Sequence, residues 1–251
     1  MSFLMNWDAT GERFFESGTD RGVVYQIDST TGNYTPGEEW NGLTAVNSNP
    51  GGAEANELWA DNMKYAVLRS AETYGGTIEC YTYPDSFKQN NGEADLIRGV
   101  HGIVASGQKR KAFGFSYRTK VGNDVDGLDF AYKIHLVYNA TASPSEKGYQ
   151  TVNDSPDAIT MSFEFETTPI KDATDGSNLS NPTAHIEINT VDFQDETGKQ
   201  FIAALEQMLY GTPAIEANVA EGIEAADAVP AQLPKPEQLV ELYNSIYHDV
   251  P

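Results

Sequence analysis

The amino-acid sequence predicts a mainly β protein, an antiparallel sandwich or barrel with a flanking α-helix and a C-terminal extension. Two observations favour this class. Short segments alternate apolar and polar residues with a period of two, which is typical of strands with one face on a core. Clusters of Gly, Asn, Asp and Pro separate these segments, as turns do in antiparallel β proteins. With 251 residues, 39% of them hydrophobic, the chain can bury a full core.

Seven segments show this alternation. In chain order they are GVVYQID (22–28), MKYAVLR (63–69), TIECYTY (77–83), FGFSYRT (113–119), FAYKIHLVY (130–138), ITMSFEFETT (159–168) and AHIEINTVDF (184–193). Residues 57–68, ELWADNMKYAVL, also fit a helical pattern. We interpret them as a hairpin that turns at Asp61 and Asn62, because both residue types favour turns.

The segment ITMSFEFETT alternates without a break. Its apolar side chains, such as Phe163 and Phe165, point one way, and its polar side chains, including Glu164 and Glu166, point the other way. Carboxylates side by side on one strand face repel each other. The polar face is therefore either ordinary solvated surface or a face on which negative charge is useful.

One helix is predicted at the end of the β region. Residues 195–211, DETGKQFIAALEQMLYG, place apolar residues on one stripe at helical spacing. Asp195 or Thr197 is placed to cap the start of this helix, and Gly211 is placed to end it. The helix should pack its apolar stripe onto a sheet. We therefore predict a β domain over residues 1–211.

Residues 212–251 form a separate extension in this prediction. Residues 212–236 are rich in Ala, Pro and acidic residues and predict an extended or mobile linker. Residues 236–247, PEQLVELYNSIY, predict a short amphipathic helix that begins at a proline. So short a helix is marginal alone, so we expect it to order by docking, on its own domain or, as we favour, on another subunit. Truncation before the linker is then expected to leave a folded domain. The candidates for the subunit contact are Leu239, Tyr243 and Ile246.

The chain carries 16 basic and 37 acidic residues, a formal charge of −21. Such a surface repels nucleic acid and anionic membranes, which argues against tight DNA binding. The single cysteine, Cys80, excludes an internal disulfide framework, and we expect a small buried residue there rather than a nucleophile. No apolar stretch is long enough to span a membrane, and the first residues lack a secretory signal, so we expect synthesis in a cytoplasm.

The sequence contains no catalytic, metal-binding or cofactor-binding motif, and we predict none of these sites. GIVASGQK (102–109) resembles a phosphate-binding loop, but Gln108 stands where such a loop needs a lysine. NDVDGLD (123–129) resembles a calcium loop without its closing glutamate, and we interpret it as a turn. The four histidines stand alone in sequence, and those within strands are expected to be structural. One basic cluster consists of Lys109, Arg110 and Lys111. It is either a contact to a neighbour's acidic surface or a solvated strand end.

Five stretches carry a resemblance to a known family, in order and at sensible spacing over most of residues 20–211. They are ELWADNMKYAVLRSAETYGGTIECYTYPDSF (57–87), FGFSYRTKVGND (113–124), YKIHLVYNATASPSEKGYQTVNDSPDAITMSFEFETTPI (132–170), NPTAHIEINT (181–190) and LEQMLYG (205–211). The most specific part is SPSEKGYQTVNDSP together with the strand and TTP that follow it. The chain resembles the major tail tube protein of long, non-contractile-tailed bacteriophages. The resemblance is weaker in the extension after residue 211.

This resemblance implies a fold and an assembly. The fold is two packed antiparallel sheets with a flanking helix and long loops. The assembly is a homohexameric ring, and stacked rings form the tail tube of the virion. Further partners implied by the family are the tape-measure, tail-terminator and distal tail proteins. The protein is thus expected in the phage tail, after synthesis in the host cytoplasm.

The same resemblance gives the polar face of ITMSFEFETT a candidate role. In this family, strands of the subunits join into an inner barrel through which the genome leaves. Phage DNA must pass without tight binding, and a wall of carboxylates repels phosphate where Lys or Arg would bind it. Glu164 and Glu166 are our candidates for the lumen wall. The alternative for both residues is an outer, solvated face.

Two other classes of protein stay open on the sequence alone. A soluble enzyme needs a convergent polar site, which no motif marks, so we predict that the protein is not an enzyme. A β-sandwich carbohydrate-binding module uses exposed aromatic residues, for which YTY (81–83) and YNA (138–140) are available. Electron microscopy of the purified protein distinguishes these classes, because a tail tube protein forms rings or tubes and the alternatives are compact monomers.

Overall fold

A computed structural model of the protein describes residues 5, 7–52, 54–70, 72–98, 100–144, 147–149, 151, 158–171, 181–214 and 227–247. The strands are β1 Phe15–Ile27, β2 Tyr34–Glu39, β3 Leu43–Ser48, β4 Gly51–Gly52, β5 Ala55–Ala60, β6 Met63–Arg69, β7 Glu72–Thr73, β8 Gly75–Cys80, β9 Glu93–Ile97, β10 Val100–Ser106, β11 Phe113–Asn123, β12 Gly127–Ala142, β13 Met161–Thr167 and β14 His185–Asn189. The α-helices are α1 Glu196–Tyr210 and α2 Pro236–Tyr247, and short 3₁₀ helices cover Asp85–Gln89 and Thr190–Asp192.

Eight strands form one antiparallel sheet. Seven of them follow the order β2-β1-β11-β12-β13-β8-β3, and β14 also pairs with β12. Strand β12 is the branch point, because one of its edges holds β11 while the other holds two strands in succession. Residues 133–137 pair with β14, and residues 140–142 pair with β13. The other pairs, β4-β7, β5-β6 and β9-β10, are separate two-stranded ladders. The mainly β, antiparallel class predicted from the sequence is confirmed.

Strand β12 contains one extra residue relative to β11. Phe115 and Phe113 are two residues apart, whereas their partners on β12, Val137 and Ala140, are three residues apart. The extra residue is Asn139, which takes a positive φ of 48°. A bulge of this kind bends a strand and shifts the alternation of its side chains by one position.

The sheet has a hydrophobic cluster on each of its faces. Ile134, Leu136 and Tyr138, which precede the bulge, lie in the cluster that α1 and α2 cover. Ala140 and Ala142, which follow it, lie in the opposite cluster, which β13, β8 and β3 close by folding back over β11. The two layers of the predicted sandwich are therefore two halves of one continuous sheet, with helices on one outer surface.

Aromatic rings fill the cluster between the two layers. The Trp40 ring lies 4.5 Å from Phe87, 5.5 Å from Phe115 and 6.3 Å from Phe163, measured between ring centroids. The Trp40 backbone N–H donates to the Gly22 carbonyl oxygen at 2.8 Å. Packed aromatic pairs contribute about 0.5–1.5 kcal/mol beyond the area that they bury. Trp40 thus holds the start of β3 beside β1 and closes the sandwich.

The predicted hairpin and the predicted α1 are both confirmed. Asp61 and Asn62 connect β5 to β6 with positive φ values of 50° and 62°, the conformation that a two-residue hairpin turn needs at both positions. The Asp195 side chain caps α1 by accepting a hydrogen bond from the Gly198 N–H at 3.0 Å. Gly211 ends the helix with φ 73°.

Three strands are shorter than the sequence pattern predicted, and one of them is β13, which covers Met161–Thr167 of the predicted residues 159–168. Strand β14 ends at Asn189, because its side chain accepts a hydrogen bond from the Val191 N–H and starts a 3₁₀ helix. Strand β8 ends at Cys80. The alternation in TIECYTY continues past the point where the partner strand β13 begins, at Met161 opposite Cys80.

The described part of the C-terminal extension lies on the protein's own core. Leu233 is fully buried between the helices and the sheet, and its N–H donates to the Tyr34 carbonyl oxygen at 3.1 Å. The Tyr138 hydroxyl donates to the Pro234 carbonyl oxygen at 2.8 Å. A Cβ at Gly114 would lie 2.6 Å from Leu233 Cδ2, so the glycine makes room for this side chain.

This packing corrects two expectations. Residues 227–235 are not a free linker, since Gly37 N–H donates to Ala231 O and Gln232 N–H donates to Met208 O, both at 2.8 Å. Helix α2 packs on α1 of the same chain, whereas the favoured expectation was that it docks on another subunit. Residues 215–226 of the predicted linker lie outside the described residues. The division at residue 211 stays a prediction, but truncation there removes part of the core.

We predict that Leu233→Ala lowers the free energy of unfolding by about 2–5 kcal/mol, the range for deleting a buried leucine side chain. Urea unfolding followed by circular dichroism measures the change. Val229→Ala, at an exposed valine of the same segment, is the matched control and should stay within about 0.5 kcal/mol of the unchanged protein. Equal unfolding midpoints for both variants would show that the segment is not part of the core.

Candidate functional site

The side of β13 that faces away from the core is polar and negatively charged. Phe163 and Phe165 of this strand are buried between the two layers, whereas Glu164 and Glu166 are exposed on the opposite side. The alternation predicted for this stretch is therefore confirmed. The two carboxylates belong to the layer that neither α1 nor α2 covers.

Strand register places a third carboxylate on the same surface. Glu79 of β8 pairs with Ser162, and Thr77 pairs with Glu164. Directly opposed residues of an antiparallel pair point to the same side of a sheet. Asn47 of β3 pairs with Thr77, and its side-chain amide donates to Glu79 Oε1 at 3.2 Å. We call this surface the polar face; it consists of Asn47, Thr77, Glu79, Ser162, Glu164 and Glu166.

The polar face has no cation of its own. The strand sequences LTAVNS, GGTIEC and MSFEFET contain neither Lys nor Arg. Three carboxylates thus lie on a surface of three strands with no positive charge from those strands to neutralise them. Glu79 was not among the residues predicted for this face, although it lies between the inward-facing Ile78 and Cys80 in an alternating segment.

Two hairpins expose apolar side chains to solvent. In β5-β6, Trp59 is 65% exposed, Met63 62% and Tyr65 75%. In β9-β10, Leu96 is 67% exposed and Ile97 49%. A two-stranded hairpin alone is marginally stable in water, and contiguous exposed apolar patches mark surfaces that contact a partner. Both hairpins therefore have the character of interfaces.

The basic cluster follows the β9-β10 hairpin directly. Lys109 and Lys111 are exposed, and Arg110 is half-buried. None of the three forms an ion pair with another residue that the structure describes. The cluster therefore lies at a connection between strands, with both lysines exposed to solvent and the Nε atom of Arg110 buried without a hydrogen-bond partner among the described residues. Both interpretations made from the sequence, a contact or a solvated strand end, fit this placement.

The three contact candidates on α2 differ in exposure. Leu239 is buried, and Ile246 packs against the helix-covered cluster. Tyr243 is 41% exposed, and its ring lies 5.6 Å from Phe201 of α1 and 4.2 Å from Tyr247. Leu239 and Ile246 hold α2 on its own chain, which leaves Tyr243 as the one of the three with substantial exposed surface.

The structure brings together two histidines that stand far apart in sequence. The imidazoles of His135 and His185 are linked by a hydrogen bond of 3.2 Å between Nδ1 and Nε2. Tyr117 stacks on His135 at 4.5 Å, and Tyr74 stacks on His185 at 4.3 Å. The Thr119 hydroxyl lies 3.0 Å from His135 Nε2. The Tyr74 and Tyr117 hydroxyls lie 3.3 Å apart, so the two stacked pairs lie side by side at the edge of the inner core, as expected for structural histidines.

Burial lowers the pKa of both imidazoles. For His135, burial is the main cause, and the nearby Glu187 carboxylate opposes it. For His185, burial and then the neighbouring His135 lower the pKa to about 4. Glu16 and Lys133 also face this cluster, and Lys133 forms ion pairs with Glu16 and Glu187. The folded protein therefore holds both rings neutral at neutral pH.

Other sites receive no support from the described parts of the chain. Within them, no three His, Cys, Asp or Glu side chains are grouped so as to hold a metal ion. No helix among the described residues is long and apolar enough to cross a membrane. The segment NDVDGLD forms the turn between β11 and β12, with the Asn123 side chain accepting hydrogen bonds from the Val125 and Asp126 N–H groups.

We predict that the histidine pair makes folding stability fall as the pH is lowered from about 6.5 to about 4. An unfolded imidazole has a pKa of about 6.5, so the unfolded state binds protons in this window before the folded state does. His185→Gln should lose less stability than the unchanged protein between about pH 7 and about pH 5, measured by urea unfolding. His101→Gln is the control for removing a histidine at an exposed position. Identical pH profiles for His185→Gln and the unchanged protein would contradict the assignment.

Comparison with solved structures finds similar chains in two contractile injection assemblies. One belongs to the PVC sheath-tube complex of an extracellular contractile injection system in the extended state, with a TM-score of 0.36 and 11% identity, covering 67% of this chain and 88% of that chain. The other belongs to the 6-fold symmetrised baseplate of the anti-feeding prophage, with a TM-score of 0.34 and 8% identity, covering 73% of this chain and 97% of that chain.

Comparison at the level of sequence gives a clearer result. No curated protein sequence matches the chain significantly. A family model described as "Phage tail tube protein" matches residues 6–214, which is more than half of the chain. This range contains the whole eight-stranded sheet, the polar face and α1. The chain therefore belongs to the phage tail tube protein family.

Proposed function

We propose that this protein assembles into hexameric rings that stack into a tail tube, and that the polar face lines the channel through which the genome leaves. Membership of the family already makes it a structural protein of the phage tail rather than an enzyme. The ring, its six-fold symmetry and the passage of DNA are the parts that we propose. The hexamer rests on the resemblance to tail tube proteins described above.

The observation that carries the channel assignment is the charge of the polar face. Glu79, Glu164 and Glu166 share one surface, and the three strands that build it contain no Lys or Arg. DNA in a channel must be repelled weakly along the whole wall. A lysine or arginine would bind phosphate and release counterions, which favours adhesion. An all-acidic wall avoids such adhesion sites.

The arrangement of the two layers also supports an orientation in which the polar face lines the channel. The layer of β3, β8 and β13 has one side on the inner core and leaves its other side open to solvent. The opposite layer is covered by α1 and α2. With the polar face on the channel, the helices lie on the outside of the tube. Cytoplasmic synthesis in the host, and the tape-measure, tail-terminator and distal tail proteins as partners, belong to the same proposal.

The exposed hairpins supply the apolar surface that self-assembly needs. At −21 per subunit, the copies repel each other over a range of about 10 Å at 0.1 M salt. Burial of side chains such as Trp59, Met63 and Leu96 between copies offsets this repulsion at about 25 cal/mol per Å² of apolar area. Both hairpins are therefore proposed as contacts between subunits.

We predict that Glu164→Lys with Glu166→Lys leaves tails intact but slows DNA ejection. The buried side of β13 is unchanged, so folding and tube formation should survive, whereas each lysine can neutralise a phosphate of the passing DNA. Ejection kinetics of phage that carry the double substitution measure the effect, and added salt should relieve it.

The matched control replaces two exposed glutamates on the helix side, Glu196→Lys and Glu241→Lys, which changes the total charge equally. The control should eject at the rate of unchanged phage. If the β13 variant also ejects at that rate, the channel assignment is wrong, while membership of the tail tube family is unaffected.

A further inference from the structure

The two exposed hairpins leave opposite ends of strand β8. The chain leaves the sheet after Ser48, forms β4 to β7, and returns to begin β8 at Gly75. At the other end of β8, after Cys80, it continues into the excursion that contains β9 and β10. Six residues of extended strand separate these ends by about 20 Å. The two hairpin segments therefore leave the same layer at opposite ends of β8.

These excursions carry opposite net charge. Residues 54–72, which we call the acidic hairpin, contain four carboxylates against Lys64 and Arg69, a net charge of −2. Residues 93–111, which we call the basic hairpin, contain four cations against Glu93 and Asp95, a net charge of +2. In a chain with a formal charge of −21, a segment of net positive charge is exceptional.

Internal partners leave the cations of the basic hairpin available. Glu93 pairs with Lys147 at 3.0 Å, and Asp95 contacts His101 at 2.8 Å. Both carboxylates of the basic hairpin are thus already engaged within the chain. Lys109 and Lys111 are exposed and form no ion pair with a described residue, so their charge is directed outward.

The carboxylates of the acidic hairpin are available in the same way. Glu57 pairs with Lys64, whereas Glu54 and Glu72 are exposed and form no ion pair with a described residue. The acidic hairpin also exposes apolar side chains, including Leu68 at 55%. Each hairpin therefore presents an apolar surface beside a net charge, negative in one hairpin and positive in the other.

We propose that the acidic hairpin of one copy docks on the basic hairpin of the next copy along the tube. This inference rests on the proposed function, because it names the surfaces through which successive rings meet. The two surfaces differ and lie at opposite ends of β8, so the contact is head-to-tail and repeats without closing. Opposite charges steer the correct pairing, and contact between two copies of the same hairpin is disfavoured because like charges then meet.

Two charge reversals test the pairing. Lys109→Glu with Lys111→Glu makes the basic hairpin negative, and Glu54→Lys with Glu72→Lys makes the acidic hairpin positive. Each double variant should raise the critical protein concentration for tube formation about tenfold or more, which corresponds to about 1.4 kcal/mol. The combined variant, with all four substitutions, restores opposite charges and should form tubes within about twofold of the unchanged protein. Sedimentation and negative-stain electron microscopy measure both.

The variants separate this pairing from general charge repulsion. Two reversals from acid to base change the chain from −21 to −17, so weaker general repulsion predicts easier assembly for Glu54→Lys with Glu72→Lys. The pairing predicts harder assembly for the same protein. Lys171→Glu with Lys199→Glu is the control for the basic variant, because it adds the same negative charge at exposed positions outside the hairpins. Thermal unfolding of each variant confirms that the monomer is folded.

The possible outcomes separate a failure of the hairpin pairing from a failure of the proposed function. If the unchanged protein forms tubes but the combined variant is no better than the worse double variant, the pairing is wrong and the proposed function survives. If the Lys171/Lys199 control is impaired as much as the basic variant, net charge explains the effect and the pairing is also wrong. If the unchanged protein forms no tube at any salt concentration, both the pairing and the proposed function fail.

Discussion

The bulge at Asn139 lets strand β12 contribute side chains to both hydrophobic clusters. Strand β12 belongs to both layers, and a regular strand would send alternate side chains to the same two sides along its whole length. The extra residue shifts this alternation, so that Tyr138 packs under the helices while Ala140 and Ala142 pack between the layers. The accompanying bend lets β13, β8 and β3 fold back, which creates a sandwich from one sheet.

The polar face follows from this folding. The β1-β11-β12 layer uses both of its sides for packing, one against the helices and one against the other layer. The folded-back layer has a core on one side only, so its other side is free to be polar. Glu79, Glu164 and Glu166 occupy that side. The C-terminal segment completes the opposite side, because Leu233 fills the space beside Tyr34 that Gly114 leaves open.

Local features of the chain were predictable from the sequence, whereas long-range ones were not. The Asp61-Asn62 turn, the caps at Asp195 and Gly211 and the alternation of β13 each depend on neighbouring residues, and all are confirmed. The position of Glu79 beside β13, the contact of His135 with His185 and the docking of Leu233 depend on register between distant segments. Residues 227–235 resemble a linker in composition. A few buried side chains, such as that of Leu233, are enough to hold the segment on the core, so composition alone did not predict its packing.

We propose that the folded-back layer faces the channel and the helices face outward. A three-dimensional electron microscopy reconstruction of tubes assembled from the purified, unchanged protein tests it most directly. We predict that the polar face, with Glu79, Glu164 and Glu166, lines the channel and that α1 and α2 lie on the outer surface. A reconstruction with α1 and α2 on the channel wall, or a preparation that contains only compact monomers, would contradict it.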